Sequence, residues 1–234
     1  MVSLQAVRAA NRRLHSRLPS PTALFVGGTS GIGRSTLLAL ARNTASPKAY
    51  IVGRSAANAA PVLSELRQLN PHGTYTFIET DVSLLRNVDA ACATISQREK
   101  SLDLMFLTPG GYSLSGRTET DEGFNHLFAL RYYTRMRFIH NLFPLLSHSH
   151  SASSRVISIL GAGFKGTIDA SNLDLKTGYN PLTCALHSVT MTSLAMEHLA
   201  TASKNVSFLH AWPGLVHGTN LLHEFFPCSR RGGV

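Results

Sequence analysis

The chain has 234 residues, 44% of them hydrophobic and 15% charged, which suits one folded domain with a substantial core and excludes a disordered polymer. No stretch approaches the ~20 unbroken apolar residues of a spanning helix, so no membrane partner is expected. The 22 Lys+Arg exceed the 13 Asp+Glu, a formal +9; such an excess bears on partners rather than fold, and without a nucleic-acid-reading motif it points to a basic surface and an anionic ligand, not to a nucleic-acid partner.

Residues 1–20 carry Arg8, Arg12, Arg13 and Arg17 and no acid. This basic extension reads as a helix lying on the domain, although it also has the look of a mitochondrial presequence. Apolar runs of strand length then follow at Ala23–Val26, Ala49–Val52, Tyr75–Ile78, Leu102–Leu107, Arg155–Leu160 and Val206–His210. Between them lie helical patterns at Gly33–Asn43, Ala59–Leu69, Leu84–Glu99, Glu122–Leu146 and Pro181–Ala202. Strands alternating with helices predict right-handed crossovers and an α/β, doubly wound parallel sheet of six strands. The strands read as continuous apolar runs, as expected when helices cover both faces. No linker divides residues 21–226, and residues 227–234 read as a tail. The polar loop from His148 to Ser154 holds two His residues but no acidic or Cys partner, so it predicts surface rather than metal. Cys92, Cys184 and Cys228 have neither metal spacing nor an even count, which fits reduced thiols in a cytoplasmic setting.

Chemistry enters at Val26-Gly27-Gly28-Thr29-Ser30-Gly31-Ile32-Gly33, between the first strand and the first long helix. Glycines there let the backbone turn sharply and approach a pyrophosphate, while the helix N-terminus offers unpaired N–H groups and its positive dipole end. Gly27, Thr29, Ser30, Gly31, Ile32 and Gly33 are the candidate cradle. The second strand ends in Gly53-Arg54, about twenty residues beyond that turn, where NAD-preferring proteins place an acid for the ribose 2′-hydroxyl. A guanidinium would instead bind a 2′-phosphate. Arg54, with Arg34 as a second cation, therefore points to NADP(H); the alternative is that both are solvated surface arginines.

The spacing G-x-x-x-G-x-G resembles the cofactor loop of the short-chain dehydrogenase/reductase family, whose fold is a single Rossmann domain. The resemblance covers roughly residues 22–220. It implies that Asp81, with Val82 beside it, caps the adenine, although Asp81 also suits the start of the helix after it. In Leu107-Thr108-Pro109-Gly110-Gly111 only Gly110 matches the family's Asn-Asn-Ala-Gly, and Thr108 is left to supply one hydrogen bond. The run Trp212-Pro213-Gly214-Leu215-Val216-His217-Gly218-Thr219 is similar to the family's Pro-Gly-x-Val-x-Thr segment. Pro213, Gly214 and Val216 are thereby expected at the nicotinamide and Thr219 at the pyrophosphate. The wording of the Gly-rich and Pro-Gly runs resembles a fungal branch often found in secondary-metabolite pathways.

The active-site pattern departs from the family. The family uses a Ser, a Tyr and a Lys four residues after the Tyr. The cation matters because a free phenol has a pKa near 10. Here the fifth strand puts Gly161 at the Ser position, and Ser158 lies on the strand itself, in a packing role. Tyr179 is followed four residues later by Thr183; aligning on the helix that holds Glu197 gives Asn180 and Cys184 instead. Lys176, in the loop before Tyr179, is a replacement cation of different geometry. Arg131 stands where the family has an Asn, and an inward Arg is costly unless an anion meets it. It would bind a substrate carboxylate or enolate, act on Tyr179, or else pair with Asp169 or Asp174. Tyr179, Arg131 and Lys176 are the candidate catalytic residues.

The resemblance implies an NADP(H)-dependent oxidoreductase acting on a carbonyl or alcohol of a small substrate. The missing Ser and Lys leave open a catalytically degenerate NADP(H)-binding protein or a truncated relative. Family members often pair through their long helices, so a homo-oligomer is the expected assembly, weakened by the short segment after Thr219.

Overall fold

A computed structural model describes residues 2–111, 116–149, 154–214 and 216. Strands β1 (Thr22–Val26), β2 (Lys48–Gly53), β3 (Thr74–Glu79), β4 (Leu104–Leu107), β5 (Ser154–Ile159) and β6 (Val206–Ala211) form one sheet, in the order β3-β2-β1-β4-β5-β6. All five neighbouring pairs are parallel. The sheet alternates its side chains between two cores, as strand geometry requires. Leu24, Val26, Tyr50, Val52, Met105 and Leu107 face one, and Ala23, Phe25, Ala49, Ile51 and Phe106 face the other. Helix α3 (Gly31–Asn43) closes the second core through Leu37 and Leu38, and α4 (Ala56–Leu69) does so through Val62 and Leu66. Helices α5 (Leu85–Ser96) and α7 (Thr134–Ser147) close the first through Val88, Ile95, Phe138 and Leu142. The strand order reverses between β1 and β4. In such a sheet the crevice at the strands' C-terminal ends is the ligand site.

The structure shows one expected element and two departures from the sequence reading. The basic extension does form a helix, α1 (Leu4–Arg12), followed by the single turn α2 (Leu14–Arg17), but neither buries a residue. The extension is thus helical, with Ala9, Asn11, Leu14 and Leu18 half-buried and none of its helical residues fully so. The continuous helix expected over Glu122–Leu146 is interrupted. It begins as one turn, α6 (His126–Phe128), passes through a π turn over Ala129–Tyr133, and only then becomes α7. Such π turns are frequent at functional sites, and this one carries Arg131. Third, Glu122 lies before the helix and caps another: its carboxylate accepts the N–H groups of Leu85 and Arg86 at 2.6 and 3.0 Å, leaving Asp81 free of that task.

Helix α8 (Pro181–Ala202) is started by Asn180, whose side chain accepts from the N–H groups of Leu182 and Thr183, with Pro181 in its first turn. That start fixes the position of Tyr179. The loop before it holds Leu175 at φ 50°, buried, an uncommon backbone state for a branched apolar residue.

Candidate active site

The β1–α3 turn is held from behind by β2 and by the residue that follows β4. Gly27 donates to the Val52 carbonyl at 3.0 Å, and the Thr108 hydroxyl lies 3.0 Å from the carbonyls of both Val26 and Gly27. Thr108 thus does from β4 the bracing expected of the missing Asn pair. Two glycines are demanded by space. A Cβ on Gly33 would lie 2.1 Å from the Gly27 carbonyl oxygen, and one on Gly27, at φ +90°, would lie 2.4 Å from the Thr108 hydroxyl. Ser30 precedes α3 without making a side-chain cap. The N–H groups of the first helical turn have no intrahelical partner, so they remain available to an anion. A tight glycine cradle under an uncapped helix start fits a dinucleotide pyrophosphate. Thr29 and Ile32 complete it, Thr29 touching the Gly53 position and Ile32 packing on the α3–α4 core.

At the adenosine end, a Cβ on Gly53 would lie 3.3 Å from the Phe77 ring and 3.5 Å from the Thr29 methyl. No acid stands at that position, and Arg54 after it is exposed. Arg34 turns the other way and pairs with Glu65 on α4, so its charge is already matched. Asp81 is exposed and accepts the Ser83 N–H at 2.9 Å, with Val82 buried beside it. Pro213 is exposed, Gly214 adopts φ 75°, and Val216 is half-buried; Thr219 lies outside the described residues.

The other wall is cationic and buried. Arg131 is 4% exposed on the π turn. Its Nε donates to the Ser188 hydroxyl at 3.0 Å and its Nη1 to the Gly111 carbonyl at 3.2 Å. Arg117 takes Asp174 at 3.0 Å, and Asp169 binds Ser171. One turn further on, Arg135 is completely buried. It donates to the Leu107 carbonyl at 3.1 Å, to Ser158 Oγ at 2.6 Å, to the Ile159 carbonyl at 3.0 Å and to the Pro109 carbonyl. It thereby braces the C-terminal ends of β4 and β5 against each other. Every acceptor is neutral, and burial, with repulsion from Arg131, pushes the guanidinium down to about 9. Ser158 is therefore explained by Arg135. The sequence reading missed Arg135; the available signal was a second arginine four residues after Arg131 on an apolar helix face.

Gly110, at φ +147°, sits between these parts: a Cβ there would lie 3.9 Å from Arg131 Cγ, Arg135 Nη2 and Leu160 Cδ1. Tyr179 is half-buried, and its hydroxyl has no hydrogen-bond partner. Burial is the main influence raising its pKa, the Cys184 thiol adds to it, and Asn125 and Arg131 pull the other way. The structure brings Arg131 within electrostatic reach of Tyr179. Lys176 is exposed in the loop, and Arg131 is the cation whose charge opposes the rise that burial gives the phenol. His210 lies opposite Ser158 on β6 and meets Ser193 Oγ at 2.9 Å through Nδ1, with its Nε2 buried and unpartnered. Burial, then the Arg135 charge, lowers it to about 4. His187, buried on α8 against Phe128, likewise has an unpartnered Nε2. The unpartnered buried atoms of Arg135, Tyr179, His187 and His210 all lie on the β4–β6 and α8 side, and such atoms each call for an explanation such as water or ligand. Among the described residues no cluster could hold a metal ion, and no helix is long and apolar enough to cross a membrane.

Comparison with known proteins agrees with this architecture. The short chain dehydrogenase model matches residues 21–227. Oxidoreductase AN1596 of Emericella nidulans is 59% identical over 97% of this chain and 67% of its own length. Oxidoreductase andH of Emericella variicolor is 45% identical over 92% of this chain and 64% of its own. Short-chain dehydrogenase/reductase SAT2 of Stachybotrys chartarum is 34% identical over 93% and 66%. The chain thus spans about two thirds of the length of these relatives. Among solved structures, the Pseudomonas aeruginosa RhlG/NADP active-site complex superposes with TM-score 0.64 at 20% identity, over 89% of this chain and 78% of that one. NADH-dependent reductase A1-R′ complexed with NAD gives 0.66 at 21%, over 86% and 81%. The fold, the cradle and the family match lead to one assignment: the chain belongs to the short chain dehydrogenase family.

Proposed function

We propose that this chain is an NADP(H)-dependent oxidoreductase that reduces a carbonyl on a small, secondary-metabolite-like substrate. The observation that carries the reading is the cradle itself: two sterically obligatory glycines, Gly27 and Gly33, beneath an uncapped helix start at the sheet's crossover point. Gly31, Ile32, Ser30 and Thr219 would hold the pyrophosphate, Asp81 and Val82 the adenine, and Pro213, Gly214 and Val216 the nicotinamide end. The absence of an acid at Gly53 and the exposed Arg54 support a 2′-phosphate. The bound nucleotide would supply a hydride.

The protein's part is proton supply and charge. Tyr179 is the proton donor. Its pKa lies above the free phenol's, so at neutral pH it is protonated, the form that an acid needs for carbonyl reduction. Arg131 stabilises negative charge developing on the substrate oxygen, and its buried setting strengthens that interaction. Arg135 holds the strand ends that carry Gly110 and Leu160. Family members often assemble through their long helices, and we propose a homo-oligomer in the cytoplasm.

The test is NADPH oxidation by the purified protein against a panel of ketones, with Tyr179→Phe beside wild type. A rate loss of about 10²–10⁴-fold is expected; an unchanged rate would remove Tyr179 from the mechanism. A second reading, nucleotide binding without turnover, is favoured by Gly161, which carries no hydroxyl where the family has its Ser. Tight NADPH binding with no turnover on any ketone would select it.

A further inference from the structure

Beside the arginine wall, the ends of β5 and β6 carry an aromatic one. The Leu160 N–H donates to the Ala211 carbonyl at 2.9 Å, so the residues following both strands are held together. Phe164, from the turn that begins at Gly161, meets Trp212 edge to face with ring centroids 4.7 Å apart. Both rings are about half exposed, 45% and 53%. Phe164 also leans over the glycine: a Cβ on Gly161 would lie 3.5 Å from its Cδ2. Thus, where the family resemblance places a serine hydroxyl, this chain presents bare backbone covered by a ring. Trp212 immediately precedes Pro213 and Gly214. On the other side, Leu160 reaches the Gly110 position shared with Arg131 and Arg135.

An edge-to-face pair leaves ring surface of both partners open, and aromatic rings pair favourably with a further ring in offset-stacked or edge-to-face geometry. Beyond Leu160, Gly110 has no neighbour nearer than 3.9 Å to a Cβ position, so the space between the rings and the arginines is not filled by a side chain there. We propose that Phe164 and Trp212 form a platform that binds a planar aromatic ring of the substrate, which places an attached carbonyl towards Arg131 and Tyr179. This rests on the oxidoreductase reading for the carbonyl's role, but the ring platform stands on its own geometry.

Trp212 is the chain's single tryptophan, so its fluorescence reports the platform directly. The probe is 2-acetonaphthone, with cyclohexyl methyl ketone as the non-planar comparison and NADPH binding followed separately by calorimetry. Saturable quenching by the naphthyl ketone is expected, at least tenfold tighter than any effect of the cyclohexyl ketone. Phe164→Ala and the milder Phe164→Leu should each weaken naphthyl binding by about tenfold while leaving NADPH binding unchanged. Equal binding of the two ketones, no saturable quenching, or indifference to both Phe164 variants would overturn the platform. Absence of NADPH binding with the naphthyl response intact would overturn the cofactor reading alone.

Discussion

The two walls of the crevice are built from different materials. On the β1–α3 side the work is done by backbone: Gly27 and Gly33 have no room for a methyl group, Thr108 ties the turn to β4, and the first N–H groups of α3 are left open. On the β4–β5–α8 side it is done by buried charge: Arg135 holds the strand ends, Arg131 projects from a π turn, and Tyr179, His187 and His210 keep polar atoms buried without partners. A backbone cradle follows from local sequence and suits a ligand whose shape is shared across a family. A charged wall needs long-range packing to keep it dry, and it is where a substrate of particular chemistry can be recognised. The difference separates a wall that local sequence builds from one that only long-range packing assembles.

Perturbing each wall sharpens that contrast. The largest effect is expected from Tyr179→Phe, which should cut NADPH-dependent ketone reduction by about 10²–10⁴-fold and leave nucleotide binding intact. In wild type the reduction rate should stay flat from neutral pH upward and fall only above the ordinary tyrosine range, because Tyr179 must be protonated and its pKa is raised. A decline near neutrality in a pH–rate profile would contradict that role. Arg135→Met should lower stability in urea unfolding by roughly 2–4 kcal/mol, since stranded carbonyls of Leu107, Pro109 and Ile159 outweigh the relief of a buried charge.

Acid provides the next probe of the charged wall. His210 is held down to about 4 against an ordinary 6.5. The unfolded chain therefore takes up that proton first, and stability should fall as pH drops from about 6.5 towards 4, by up to about 3 kcal/mol. His210→Gln should flatten that window, and an unaltered slope in pH-dependent unfolding would break the assignment. On the backbone wall, Gly33→Ala should cost about 1–3 kcal/mol through overpacking and abolish NADPH binding, because the methyl group must displace the Gly27 carbonyl.

Much of the backbone wall was legible in the chain itself. The strand–glycine–helix order, the apolar runs and the missing acid at Gly53 are local patterns, and each of the six expected strands overlaps an observed one. The charged wall was only half legible. Arg131 was visible as an arginine where the family resemblance places an Asn, but Arg135 gains its meaning from the ends of β4 and β5, which sequence separation hides. Glu122 read as the first residue of a helix and instead caps α5, a contact across 37 positions. The π turn has no residue signature of its own and follows from packing Arg131 and Phe128 inward. Lys176 and Arg34 were read from charge and spacing alone; neighbouring elements decide that one faces solvent and the other faces Glu65.

The most direct test of the account is calorimetric titration of the purified chain with NADPH and with NADH, repeated on Arg54→Ala. The account predicts micromolar NADPH binding, weaker NADH binding, and about a tenfold loss for NADPH alone in the variant, the worth of one charge-assisted phosphate contact. Binding of neither nucleotide would contradict the central claim, and equal binding of both, unchanged by Arg54→Ala, would contradict the 2′-phosphate site.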